Sequence, residues 1–220
     1  MIETLFPREV HTCCTTEEPD PGLLYPEEAE CVRGVVPLRR REFAQGRLCA
    51  RRALAELGIR NFPLLMKQDR SPVWPEAIVG SLSHSGGYCA VALARKCIIG
   101  GLGLDVDTAE SLEEELVPLI CGASEIARLE DSREADRGLL AKLVFSAKES
   151  VFKCVYPLTG VFLDFHDCEI ELQQGAGSFS ATLTNPRLPP PWKGRRLRGR
   201  FARGPKQLFT GIALSAESLR

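Results

Sequence analysis

The stretch "FSAKESVFK", Phe145–Lys153, decides how this chain is read. It follows "RGLLAKLV" and runs into "CVYP". Across these segments Leu140, Val144, Ala147, Val151 and Val155 recur at helical spacing, which predicts a helix with one core-facing stripe. Beside that stripe run Phe145, Lys148, Glu149 and Phe152, with Lys153 one residue further on. A helix edge half sunk in a protein does not keep charges without partners. The rest of the sequence must therefore supply what Glu149 and Lys153 face.

Working outward, "YPEEAECVRGVVPLRRREFAQGRLCARRALAELG" predicts helix from the Pro-Glu-Glu start to a Gly58 stop, with a break at Pro37. A proline-punctuated loop follows. "VGSLSHSGGYCAVALARK" predicts two strands around a Gly86–Gly87 turn, and "CIIGGLGLDVDTA" a third. "ESLEEELVPLICGASEIARL" reads as helical and leads into the helix of Phe145–Lys153. "FHDCEIELQQGAGSFSATLT", "RRLRGRFARG" and "QLFTGIALSAE" read as three or four antiparallel strands, with the alternating run Lys193–Arg200 an exposed edge strand. Helix then strands, twice over, gives an α+β fold of two similar-sized halves, 1–104 and 105–220.

The chain has 220 residues, enough for one large domain or two small ones around a core. With 28 Lys and Arg against 29 Asp and Glu, net charge near −1 argues against bulk attraction to nucleic acid or membrane. No apolar run has the length of a membrane span and the N-terminus lacks a signal-peptide layout, so a cytoplasmic protein is expected. Nine cysteines, an odd number without CxxC spacing, predict reduced thiols, with Cys49, Cys89, Cys97 and Cys154 in apolar surroundings. Cys13–Cys14 on an early strand reads as packing.

Three groups could carry chemistry. In "GLDVD", Asp105 and Asp107 project from one face of a strand. Either they are solvated acids at a strand end, or a cation relieves their repulsion; oxygen-only ligands favour Mg²⁺, Mn²⁺ being the substitute. Glu149 and Lys153 are four apart on one helix face. They form a surface ion pair, or they line a site in which Glu149 holds a metal or takes a proton and Lys153 meets a phosphate. The third group is scattered cations: Arg47 and Arg51 on one side of a helix, Arg70 in "DRSPVWP", and His84 in "SLSH". A solvated face and a loop histidine are the bland alternatives.

The order of these groups, Arg-rich helix, "GSLSH", "GLDVD", "FSAKESVFK", then "YPLTG" at Tyr156–Gly160, resembles the 4′-phosphopantetheinyl transferases across residues 39–160. Within them it is similar to the Sfp-like class, in the branch typified by enterobactin synthetase component D. The resemblance implies two halves related by pseudo-twofold symmetry and transfer of phosphopantetheine from coenzyme A to a serine of an acyl or peptidyl carrier protein, releasing 3′,5′-ADP. It further implies that Asp105, Asp107 and Glu149 hold Mg²⁺, and that Lys153, with Lys148 beside it, meets the pyrophosphate. Glu149 would take the serine proton. Arg47 and His84, with Ser83 alongside, would contact the 3′-phosphate of coenzyme A. Arg70 is a further basic contact, and Arg39, Arg51 and Lys67 are additional ones. Asp107 stands where many relatives have Glu, and Phe145 where the wider class has Trp. A monomer is expected. The competing readings are a Mg²⁺-dependent hydrolase of coenzyme A or another nucleotide, and a non-enzymatic anion-binding module.

Overall fold

The computed structural model describes residues 1–219. After a short 3₁₀ turn at Ile2–Leu5 the chain forms β1 (His11–Thr15), α1 (Pro26–Glu30), α2 (Pro37–Glu56), β2 (Ile78–Ser85), β3 (Tyr88–Arg95) and β4 (Ile99–Thr108). Then come α3 (Val117–Ile120), α4 (Ala123–Glu130), α5 (Glu134–Thr159), β5 (Cys168–Gln173), β6 (Ser178–Leu183), β7 (Arg196–Arg203) and β8 (Gln207–Ser215). Two antiparallel sheets result, of order β1-β3-β2 and β4-β8-β7-β6-β5. The α+β class is as expected, and the two sheets differ in strand number.

The expected break near Pro37 separates α1 from α2, where Pro37 takes the first helical position and needs no N–H partner. The Gly86–Gly87 turn joins β2 to β3 with both residues at positive φ, 56° and 76°, as a two-residue hairpin requires. The acidic segment is less regular than its charge pattern suggests: Pro118 and Gly122 divide it into a 3₁₀ turn, α3 and α4. The arginine-rich strand also differs from expectation. β7 alternates exposed arginines with buried Leu197 and Gly199, but it pairs with β6 and β8 on its two sides and is not an edge.

The stripe Leu140, Val144, Ala147, Val151 and Val155 is buried, packing α5 with Ile170, Phe179, Leu197 and Ile212 of the five-stranded sheet. α2 lays Cys49, Ala50, Ala53 and Leu54 on Val91 and Leu93 of the smaller sheet. Leu102, Leu104 and Val106 of β4 join Ala90, Ala92 and Ile2, Leu5 and Phe6 in a core that links the two sheets. All nine cysteines are free thiols; Cys49, Cys89 and Cys154 are buried, whereas Cys97 sits exposed in the β3–β4 turn rather than in apolar surroundings.

Two features place the site. Gly103 on β4 lies under α5 so closely that a Cβ there would come 1.8 Å from the Ser150 carbonyl oxygen. Only glycine lets the helix settle onto the strand, bringing Glu149 over the DxD segment. The second feature is a row of serines on β2. Ser81 Oγ accepts the Leu104 N–H at 2.9 Å, Ser83 Oγ donates to Asp105 at 2.8 Å and Ser85 Oγ donates to Asp107 at 2.8 Å. Side chains two apart on β2 thus meet β4 where the two sheets abut, and they aim both aspartates into one cleft.

Candidate active site

That cleft, of about 770 Å³, runs between α2 and the loop after it on one side and β4 and α5 on the other. Its floor holds Asp105, Asp107, Glu149 and Lys153, and its walls include Ser83, His84, Arg47, Arg70 and Arg39.

Asp105 is buried and saturated: Lys153 Nζ donates at 2.7 Å and Ser83 Oγ at 2.8 Å to Oδ1, and Ser146 Oγ at 2.7 Å to Oδ2. Lys153 also donates to Ser83 Oγ at 3.0 Å. Asp107 is held by Ser85, by the Thr108 N–H at 2.7 Å and by Lys142 Nζ at 2.6 Å. Glu149 stands between these units with no hydrogen-bond or ion-pair partner among the described residues. Burial raises its carboxyl above the usual range, Lys153 opposes that rise, and Asp105 and Asp107 add to it.

On the opposite wall Arg47 is buried, its Nε donating to the Leu64 carbonyl at 2.8 Å and its guanidinium lying 3.6 Å over the Phe43 ring. Desolvation pulls its pKa down to about 10. Among the described residues its terminal nitrogens have no protein acceptor. Arg70 is exposed at a turn with φ of 66°, closed by the Arg70 N–H on the Lys67 carbonyl. Arg39 pairs with Glu42 at 2.8 Å on the rim. His84 has its pKa lowered by desolvation, with Glu42 and Asp105 acting to raise it and Lys153 and Arg39 to lower it.

Three expected contacts lie elsewhere. Lys148 points away from the cleft into the core, where Nζ donates to Glu125 at 2.7 Å and to the Ile120 and Phe165 carbonyls at 2.8 Å. The second stripe drawn from sequence mixes two faces: Lys142, Ser146, Glu149 and Lys153 meet β4, whereas Lys148 looks the other way. Arg51 also misses the cleft. It pairs with fully buried Glu28, stacks on Tyr25 and donates to the Leu23 carbonyl at 2.7 Å. Glu28 in turn accepts the Leu64 N–H at 2.9 Å, so Arg51 steadies the residue whose carbonyl holds Arg47. Lys67 is exposed outside the cleft lining.

Ser85, Ser146 and Lys142 are site-building residues that sequence reasoning passed over. The spacing 142, 146, 149, 153 is a helical face in its own right, and it was the available signal.

The acids supply oxygen donors only, which suits a hard cation, and Glu149 lacks a protein partner. Among the described residues, however, no three His, Cys, Asp or Glu side chains are gathered closely enough to hold a metal as they stand. Asp105 and Asp107 are each turned to a lysine instead.

Acids on the floor, with unpartnered guanidinium nitrogens and a neutral-leaning histidine on the walls, define a cleft for handling a phosphate-bearing substrate. Comparisons with known proteins specify which. Residues 27–94 match the 4′-phosphopantetheinyl transferase N-terminal domain and residues 101–205 the 4′-phosphopantetheinyl transferase superfamily. The chain is similar to the 4′-phosphopantetheinyl transferase Svp of Streptomyces mobaraensis, 41% identical over 98% of this chain and 90% of that protein. It is similar to Npt of Nocardia iowensis, 34% identical over 84% and 86% of the two chains. Enterobactin synthase component D of Escherichia coli K12 is 35% identical over 62% and 65%. The chain belongs to the 4′-phosphopantetheinyl transferases, enzymes that move the phosphopantetheine group of coenzyme A onto carrier proteins, and the component D-like branch is among its relatives. The hydrolase reading finds no support in these relatives.

Proposed function

We propose that this transferase works with Mg²⁺, replaceable by Mn²⁺, and that residues 1–104 supply contacts to the 3′-phosphate end of coenzyme A while 105–220 supply the acids. The observation that carries the reading is Glu149, a desolvated carboxylate without a protein partner between two lysine-held aspartates. Asp105, Asp107 and Glu149 would hold the cation. When bound, it would supply positive charge to the pyrophosphate oxygens, which phosphoryl transfer requires.

The chain's own residues do the rest. Arg47 offers its unpaired nitrogens to the 3′-phosphate, His84 and Ser83 lie alongside, and Arg70 and Arg39 meet the same end of the substrate from the rim. Lys153, which holds Asp105, would meet the pyrophosphate and balance charge on the leaving group. Glu149 accepts the proton of the carrier serine hydroxyl as its oxygen attacks the phosphorus, and the oxygen bridging to 3′,5′-ADP leaves. The raised carboxyl of Glu149 makes it a stronger base than an ordinary glutamate.

The acceptors we propose are carrier domains of fatty-acid, polyketide, nonribosomal-peptide or siderophore synthesis, met by a monomer in the cytoplasm without nucleic acid or membrane. No described helix is long and apolar enough to cross a membrane. The test incubates the protein with coenzyme A, Mg²⁺ and several apo carrier proteins and weighs the intact carriers. A phosphopantetheine-sized gain, lost with Glu149→Gln and with EDTA, is the expected result. A gain that survives EDTA overturns the metal reading, and one that survives Glu149→Gln overturns the base.

A further inference from the structure

The face of α5 that meets β4 carries a lysine outside the "FSAKESVFK" stretch. Lys142 Nζ lies 2.6 Å from Asp107 Oδ2, with side chains only 16% and 14% exposed. The other oxygen of Asp107 accepts Ser85 Oγ–H at 2.8 Å and the Thr108 N–H at 2.7 Å. Asp107, Ser85 and Lys142 therefore repeat, one step along the strand, the unit built from Asp105, Ser83 and Lys153. The repeat has a simple cause. The serines are two apart on β2, the aspartates are two apart on β4, and α5 brings one lysine to each aspartate. Glu149 alone among the three acids has no lysine bound to it.

We propose that Lys142 is a positioning residue that competes with the divalent cation for Asp107. The inference rests on the metal reading above. Three acids against two lysines leave one net negative charge at the cleft floor. Without Lys142 two remain, and Asp107 Oδ2 loses the donor that occupies it. Lys142 thus keeps the acids from repelling one another before substrate arrives, and Glu149 is the carboxylate that meets the cation first. Asp107 is held toward the β2–β4 seam.

The test measures Mn²⁺ binding to the free enzyme by electron paramagnetic resonance, so it does not depend on turnover. Lys142→Met is expected to bind Mn²⁺ about tenfold tighter than wild type, one unit of positive charge having left a partly desolvated site. Lys142→Arg keeps wild-type affinity. In an Asp107→Asn background, removing Lys142 gives a gain of about threefold or less, the carboxylate it competed for being gone. A structural defect would weaken binding, so the direction of change separates positioning from damage. If Lys142→Met does not fold, Lys142→Gln, one atom shorter but polar and uncharged, carries the same measurement. Equal or weaker Mn²⁺ binding in the variants overturns the proposal, as does an undiminished gain in Asp107→Asn. If neither wild type nor Lys142→Met binds Mn²⁺ at millimolar concentration, there is no competition in the free enzyme and this inference is overturned, while loss of transfer with EDTA decides the metal reading separately.

Discussion

Lys148 and Lys153 lie five residues apart on α5, and each holds a carboxylate. Lys148 and Glu125 are closed off, with side chains 3% and 2% exposed, and the lysine donates to three protein oxygens while Glu125 also accepts the Gly122 and Ile170 N–H groups. Lys153 and Asp105 stand at 26% and 7%, on the floor of the cleft. The first pair ties α3, α4 and β5 to α5 and has no donor left for a ligand. The second keeps solvent access on the lysine, which leaves it able to turn toward a substrate. A buried ion pair that satisfies all its lone pairs and protons is structural; one left partly open can work.

The sharpest way to break that comparison is Lys148→Ala. Leaving Glu125 charged and unpartnered in the core should destabilise the fold by about 3–5 kcal/mol, read as a loss in denaturant-unfolding free energy. Lys153→Met should cost only about 1–2 kcal/mol, because Ser83 and Ser146 still serve Asp105. Equal losses would erase the distinction between the two pairs. Next in size is Glu149→Gln, expected to lower carrier modification by about 10²–10⁴-fold, the range for a positioned general base, while the unfolding curve is unharmed. A Glu149→Gln enzyme that unfolds like Lys148→Ala would make Glu149 structural.

The opposite wall allows a milder comparison. Arg47 is buried through its stem and Nε, yet its terminal nitrogens have no protein acceptor. Arg47→Met keeps the packing on Phe43 and removes the charge, so coenzyme A affinity should fall by about ten- to a hundredfold with turnover at saturation retained. Arg51→Met should act on the same affinity only by loosening Leu64 through Glu28, and it should lower stability as well. If Arg51→Met weakens binding at unchanged stability, Arg51 touches the substrate after all.

Much of this was legible in the sequence where period decides geometry. The stripe Leu140 to Val155, the hairpin at Gly86–Gly87 and the same-face pair Asp105 and Asp107 follow from spacings of 3.6 and 2. What spacing could not give was the azimuth of each charge relative to neighbours distant in sequence. Lys148 and Glu149 are adjacent, and which one faces the cleft depends on Glu125 and Ile120 lying behind the helix. Arg47 and Arg51 share one helix side, yet only buried Glu28 separates their roles. The exposed-edge reading of β7 failed for a related reason: alternation reports one solvated face, and strand order is set by long-range pairing.

The smallest expected effect concerns His84, which feels the charges of Glu42 and Arg39 on α2, Asp105 on β4 and Lys153 on α5. Desolvation lowers its pKa below 6.5, so the imidazole is neutral in the free enzyme at pH 7 to 8. A histidine with a lowered folded pKa takes up fewer protons folded than unfolded, so its contribution to stability is fully present above 6.5 and is lost as pH falls from there through the lower folded value. Binding has the opposite sign. A phosphate beside His84 favours imidazolium, so coenzyme A should bind with uptake of a fraction of a proton, and affinity should rise a few-fold as pH drops from about 8 to about 6. Calorimetry in buffers of different ionisation enthalpy measures that uptake directly. In His84→Gln the uptake should vanish and the pH slope flatten, while Arg47→Met should keep both. Uptake that persists without His84 would move the proton to another group and take His84 off the phosphate.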